Sequence, residues 1–229
     1  TDKFFVEVAE DSAFYAERDT WSWAEFENLQ DVEIYNCAQL TRLPLDLLCG
    51  APELQSLNLS MNQGIAGKQF LSDWEAIICG ASGADIQILY FNSCNLEETP
   101  DYSHLSRMTK LGLLDLSNNK LRKIHPFGKE IYPTTLYYDN NRIESIAPSE
   151  DGYFCGLGQL ETFSCSNNQL TELPDLFDAR SVHSMITANF SGNKISTLAN
   201  GDQWRGLNTE TLNLADNHFS ELPARLMDS

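Results

Sequence analysis

The chain has 229 residues, 42% of them hydrophobic and 21% charged, with 33 Asp and Glu against 15 Lys and Arg for a net charge of −18. The apolar content is ample for a folded core and excludes a disordered chain. The acidic balance argues against nucleic acid or an anionic membrane surface as partner, since phosphates need a basic footprint. No apolar run approaches the roughly 20 residues that a membrane-spanning helix needs.

Taken in order, the chain repeats itself. The first copy is degenerate: Val6 and Val8 take strand positions and Asp11 a turn position. Residues 19–28 then read as a helix, with Asp19 or Thr20 as its cap and Trp23 and Phe26 facing inward. Regular copies follow at Leu29, Val32, Ile34, Cys37 and Leu40, and at Leu54, Leu57, Leu59, Asn62 and Ile65. In residues 68–84, Phe70, Leu71, Trp74, Ile77 and Ile78 recur at helical spacing, which predicts an outer helix. The next copy holds Ile86, Leu89, Phe91, Cys94 and Leu96.

The cleanest copy is LGLLDLSNNKLRKIHP, residues 111–126. Leu114 and Leu116 alternate with Asp115, as a short half-buried strand requires. Asn119 stands where the chain leaves the strand, and Leu121 and Ile124 return it to the interior. Four more copies carry Asn141, Asn168, Asn193 and Asn217 at the same place. From position 11 through 37, 62, 94, 119, 141, 168, 193 and 217 the steps are 26, 25, 32, 25, 22, 27, 25 and 24. Only the step of 32 stands apart, and it holds the helical insert.

This pattern resembles the leucine-rich repeat, whose units run to about 20–29 residues. The resemblance covers essentially the whole chain. It implies an α/β fold: a right-handed horseshoe solenoid with a parallel sheet on the concave face and helices or turns on the convex face. Residues 1–28 would form a degenerate N-terminal repeat or cap with a helix. Residues 29–229 would form a continuous repeat domain of about eight units.

Physical reasons support that architecture. A single unit cannot offset its ordering entropy, but stacked units bury both faces of each one and pair their strands. Each unit returns by the same outer path, so the strands must run parallel. At the strand exit, backbone groups need partners away from water. An Asn amide supplies a donor and an acceptor together, bridging its own turn and the next repeat. Cys37 and Cys94 take that place in two units and should hold their turns more weakly.

Six cysteines could imply disulfides, but all six fall where a repeat buries small residues, which favours buried thiols. Cys49 with Cys79, at similar places in successive units, is the one pair to check. His104, His125, His183 and His218 are scattered, and no zinc-ligand, phosphate-loop or nucleophile motif appears. The reading is therefore of a non-enzyme without cofactor or metal. Asn58-Leu-Ser60 and Asn189-Phe-Ser191 match the N-glycosylation pattern inside expected strands, where it would be fortuitous. The chain runs from Thr1, not Met, to Ser229 just after a repeat motif, and reads as a mature or trimmed piece of a longer protein.

What remains is recognition by the residues that the repeat leaves free on the strands. Most sets are small and polar. In the middle, Tyr90, Asp115 and Tyr137 should stand in one row on adjacent strands, with Ile88 and Leu113 in the next row and Asn92 and Asp139 on the far side. Two tyrosines flanking a carboxylate beside an apolar pair make this the expected ligand-contact surface, since tyrosine gives large area and a polar tip at low entropy cost. The partner expected is a protein or peptide. A structural spacer in a larger surface protein and a carbohydrate-binding module are the alternatives. The irregular units resemble those of bacterial secreted or cell-surface leucine-rich repeat proteins, and imply that location.

Overall fold

The computed structural model describes residues 2–7, 28–37, 40, 51–66, 85–99, 108–125, 131–146, 158–173, 185–198 and 209–221. Among the described residues there are thirteen strands: β1 (Asp2–Glu7), β2 (Leu29–Tyr35), β3 (Ser56–Asn58), β4 (Ile88–Tyr90), β5 (Leu113–Asp115), β6 (Lys123–Ile124), β7 (Thr135–Tyr137), β8 (Ser145–Ile146), β9 (Thr162–Ser164), β10 (Glu172–Leu173), β11 (Thr187–Asn189), β12 (Thr197–Leu198) and β13 (Thr211–Asn213). Nine make one parallel sheet in the order β1-β2-β3-β4-β5-β7-β9-β11-β13. Neighbours in that sheet are successive repeats, so the chain is a solenoid whose sheet is the concave face. Two further parallel pairs, β6 with β8 and β10 with β12, follow the strand exits. Gln63–Ala66 form a 3-10 turn. The helices expected over residues 19–28 and 68–84 lie outside the described residues, as do Cys49, Cys79 and Cys155.

One register differs from expectation. In β1, Phe4 lies opposite Val32 and Val6 opposite Ile34, whereas the sequence pattern set Val6 and Val8 at those places. The shift is two residues, and a two-residue slip returns every side chain to the same face. Alternation alone therefore cannot detect it. Asp11 lies outside the described residues.

The core is the stack of strand leucines and their substitutes. Val32, Leu57, Leu89, Leu114, Leu136, Phe163 and Ala188 form one buried column, and Ile34, Leu59, Phe91, Leu116, Tyr138, Cys165 and Phe190 the other. Volume is conserved within a strand where it is not conserved along a column. Phe163 is followed inward by the small Cys165, and Ala188 by the large Phe190. The Phe163 ring packs 5.5 Å from Phe190 and 6.2 Å from Tyr138, tilted in both cases. Close-packed interiors demand such exchange of large for small.

The asparagine column does the bridging expected of it, but in the opposite direction. Asn141 donates its Nδ2 to Tyr138 O in its own turn and to Leu116 O in the preceding repeat, both at 3.0 Å. Its Oδ1 accepts the N–H of Leu121, also in the preceding repeat, at 3.0 Å. Asn62, Asn119, Asn168, Asn193 and Asn217 repeat the scheme. Each amide therefore ties its repeat to the one before it, not to the next. Cys94 performs part of this work: its thiol donates to Leu59 O of the preceding repeat at 3.1 Å. Its single proton also lies 3.4 Å, sulfur to oxygen, from Asn92 O of its own turn, and Phe91 O there accepts the Nδ2 of Asn119.

A second feature accompanies every bridge. The residue just before each ladder position has a left-handed backbone: Asn36, Met61, Ser93, Asn118, Asn140, Asn167, Gly192 and Asp216, with φ from 52° to 67°. This conformation turns the chain out of the strand while its N–H still donates to the next repeat, as Asn118 N does to Asp139 O at 2.8 Å. Asn, Asp and Gly tolerate it. At Gly192 an added Cβ would meet Asn167 Oδ1 at 2.3 Å in addition to the φ of 67°. Ser93 and Met61 are the exceptions, and Met61 is an unbranched apolar residue that is 49% exposed.

Two stability measurements follow. Asn141→Leu should lower unfolding free energy by about 1–3 kcal/mol, because Leu121 N–H loses its partner and the Leu116 and Tyr138 carbonyls each lose one of two amide donors. An unchanged urea midpoint would contradict the bridge. Met61→Asn should raise stability by roughly 0.5–1 kcal/mol by relieving the left-handed strain. A lower midpoint for that variant would show that Met61 is held by packing that the strain argument omits.

Candidate functional site

The solvent-facing side of the sheet is read off the strand registers. Ile88 pairs with Leu113 and Leu113 with Thr135, while Tyr90 pairs with Asp115 and Asp115 with Tyr137. The row Tyr90–Asp115–Tyr137 thus exists as expected, with neighbours about 4.8 Å apart across the strands. Ile88 and Leu113 form the row beside it. All five side chains are half-buried. Among the described residues, neither tyrosine hydroxyl has a hydrogen-bond partner.

Asn92 belongs to this group, because its Nδ2 donates to Asp115 Oδ2 at 3.1 Å. Asp115 Oδ1 accepts the N–H of Ser117, two residues on, at 2.9 Å. The carboxylate is therefore fixed from two sides. Asp139 is committed elsewhere: its Oδ1 accepts the hydroxyls of Ser164 and Ser166 at 2.6 and 2.7 Å and the Ser166 N–H at 2.7 Å. It ties its own turn to the following repeat, where Ser164 stands beside Tyr137 in the same row.

A recurring cap explains part of this arrangement and was missed in the sequence. Asn58, Asn189 and Asn213 occupy the strand position of Asp115 and accept the N–H of Ser60, Ser191 and Ala215 in the same way, at 3.0, 3.2 and 3.1 Å. Such short polar side chains commonly bond their own backbone two residues on. The signal was an Asn or Asp between the two strand leucines. It also gives Asn58 and Asn189 of the two glycosylation-like triplets a structural task. In the second triplet Ser191 donates both its N–H and its hydroxyl to Asn189. In the first the buried Ser60 hydroxyl has no partner.

Among the described residues the perturbed titratable groups are two buried thiols. Burial pushes the Cys94 thiol from its ordinary 9.0 up to about 11, against the pull of the Asn62 and Met61 backbone N–H groups, with Asp115 adding a small push. Burial, with Asp139 second, raises Cys165 well above its ordinary value. Both stay protonated at neutral pH, and Cys37, Cys94 and Cys165 are all buried. A low-pKa, accessible thiolate is what reactivity requires. Among the described residues no group of His, Cys, Asp and Glu could hold a metal ion.

A stacked parallel sheet of units of about 25 residues, bridged by asparagine at each strand exit, defines the class of repeat solenoid. The Leucine Rich Repeat family model matches residues 159–179. Over 95% of its length the chain is similar to a leucine-rich repeat protein from Bacteroides eggerthii, at 34% identity and TM-score 0.71, covering 37% of that chain. It is similar over the same share to one from Bacteroides thetaiotaomicron, at 36% identity and TM-score 0.73, covering 26% of that chain. Lumican of Coturnix japonica is 32% identical over 47% of this chain and 30% of its own length. The chain is a leucine-rich repeat protein. It spans about a third of the length of the lumicans it matches.

The buried thiols give a pH prediction. In the unfolded chain a thiol ionises near its ordinary value, whereas folded Cys94 keeps its proton up to about pH 11. The unfolded state therefore loses protons first, and stability should fall as pH rises from 9 towards 11. Cys94→Ser should flatten this decline in denaturant titrations at those pH values. A decline of equal steepness in that variant would remove Cys94 as its source.

Proposed function

We propose that this chain is a non-catalytic recognition module that binds a protein or peptide partner across the concave face of its sheet. The observation that carries the reading is the row Tyr90–Asp115–Tyr137, flanked by Ile88, Leu113 and Asn92 on adjacent strands. Elsewhere on that face the exposed strand positions are mostly Ser, Thr and Asn, which form a solvated surface with little apolar area. Among the described residues β2 adds Asp31, Glu33 and Tyr35 to that face, whereas the middle strands combine aromatic and aliphatic surface around an oriented charge, the composition of a binding hot spot. Leucine-rich repeat proteins in general mediate protein interactions, which favours a macromolecular partner over a small substrate. Asp139, engaged with Ser164 and Ser166, serves this surface as a scaffold at its edge.

We infer also that the protein works outside the cell, secreted or at its surface, as the irregular bacterial-type repeats suggest. Among the described residues no helix is long and apolar enough to cross a membrane.

The test is a comparative capture from the source culture with three immobilised forms: the native protein, Tyr90→Ala with Tyr137→Ala, and Lys123→Glu outside the sheet face. A partner held by the first and third but lost, by about tenfold or more, from the second supports the reading. Equal retention by all three overturns it.

A further inference from the structure

The position of Asp115 in the repeat carries a scaffold task that needs no charge. At the equivalent place Asn58, Asn189 and Asn213 cap the same backbone N–H with an amide oxygen. The cap that Asp115 makes to Ser117 is of the same geometry. The negative charge at this one turn is therefore surplus to folding. Among the described residues no cation neutralises it: none of the solvent-facing positions on β2, β3, β4, β5, β7, β9, β11 and β13 is Lys, Arg or His, and no ion pair involves Asp115. A half-buried charge set beside apolar side chains and left unpaired is costly to a scaffold and useful to a binding site.

We propose that the Tyr90–Asp115–Tyr137 row is a receptor for an arginine side chain of the bound peptide, an inference that rests on the concave face being the binding surface. The carboxylate has about four acceptor directions. Asn92 takes one on Oδ2 and Ser117 takes one on Oδ1, which leaves one on each oxygen. That is the match for the two parallel N–H groups of a guanidinium fork. Tyr90 and Tyr137 lie one strand away on either side, about 4.8 Å in each direction. Their rings offer π faces to a cation between them. Ile88 and Leu113, in the adjoining row, give the methylene stem an apolar bed. The Asn92 and Ser117 bonds hold the carboxylate in place before binding, which spares the complex that ordering cost. A lysine would find the charge but could not use both remaining acceptors in one plane.

The experiment is an NMR titration of the whole chain, reading the tyrosine ring signals, with acetyl-Gly-Arg-Gly-amide and with its neutral isostere containing citrulline. Asp115→Asn is the variant, and the native Asn at three equivalent positions argues that it folds. The arginine peptide should shift the Tyr90 and Tyr137 rings and bind at least about tenfold more tightly than the citrulline peptide, and Asp115→Asn should abolish that preference. Equal shifts of both rings by the two peptides would overturn the arginine assignment while leaving the concave face as the binding surface. An arginine preference that survives Asp115→Asn would overturn the role of this carboxylate. Absence of any shift at these rings would overturn the receptor. The concave-face reading would then stand or fall on the capture comparison alone.

Discussion

A parallel solenoid has one recurrent difficulty, which is the disposal of backbone polar groups where each strand ends. The strand ladder stops there, the chain turns inward, and water is excluded on the core side. In this protein an asparagine amide resolves it in six of the described repeats, with cysteine at that place in two others. The asparagine after each strand donates to a carbonyl of its own turn and to a carbonyl of the previous repeat, and accepts an N–H from that previous repeat. The bridge is directional: a repeat is completed by its successor. Loss of an interior asparagine such as Asn141 leaves a buried N–H of the preceding repeat without its partner and takes one donor from a carbonyl in each of two repeats, so neighbouring units are coupled pairwise.

The rest of the architecture fits around that bridge. A left-handed residue must precede each asparagine, so the pairs Asn118-Asn119, Asn140-Asn141 and Asn167-Asn168 are two positions with two duties. The first is exposed and turns the chain; the second is buried and bridges. Cysteine can stand in for the second because a thiol is a weak donor and a weak acceptor, and Cys94 uses it to reach Leu59. At the C-terminal end of the described sheet, Leu212, Leu214 and Phe219 are only partly buried. Among the described residues no further turn stacks on β13.

Much of this was legible from residue type and spacing. Leucine alternation placed all eight strands from β2 to β13 in the main sheet, and their register delivered the tyrosine row. Three things were not legible, each for a physical reason. The register of β1 slipped by two because period-2 patterning is blind to a slip of two. The direction of the asparagine bridge depends on which neighbour's groups face the side chain, which spacing does not encode. The capping role of Asp115 and the engagement of Asp139 lay hidden because a carboxylate on a solvent-facing strand position looks available until its hydrogen bonds are seen. That last correction sharpened the site. Asp139 became scaffold, whereas the comparison of Asp115 with three asparagines in its own position separated a structural oxygen from an unneeded charge.

The account depends most on the backward-reaching amides, and native-state hydrogen exchange measures them directly. The N–H groups of Leu121, Ile143, Leu170 and Ile195 each bond to the Oδ1 of the following repeat's asparagine. They should exchange as slowly as the sheet amides of Phe91, Leu116 and Tyr138, which bond to backbone carbonyls. Exchange of those four at rates typical of exposed turns, while the sheet amides stay protected, would contradict the bridge and the architecture built on it.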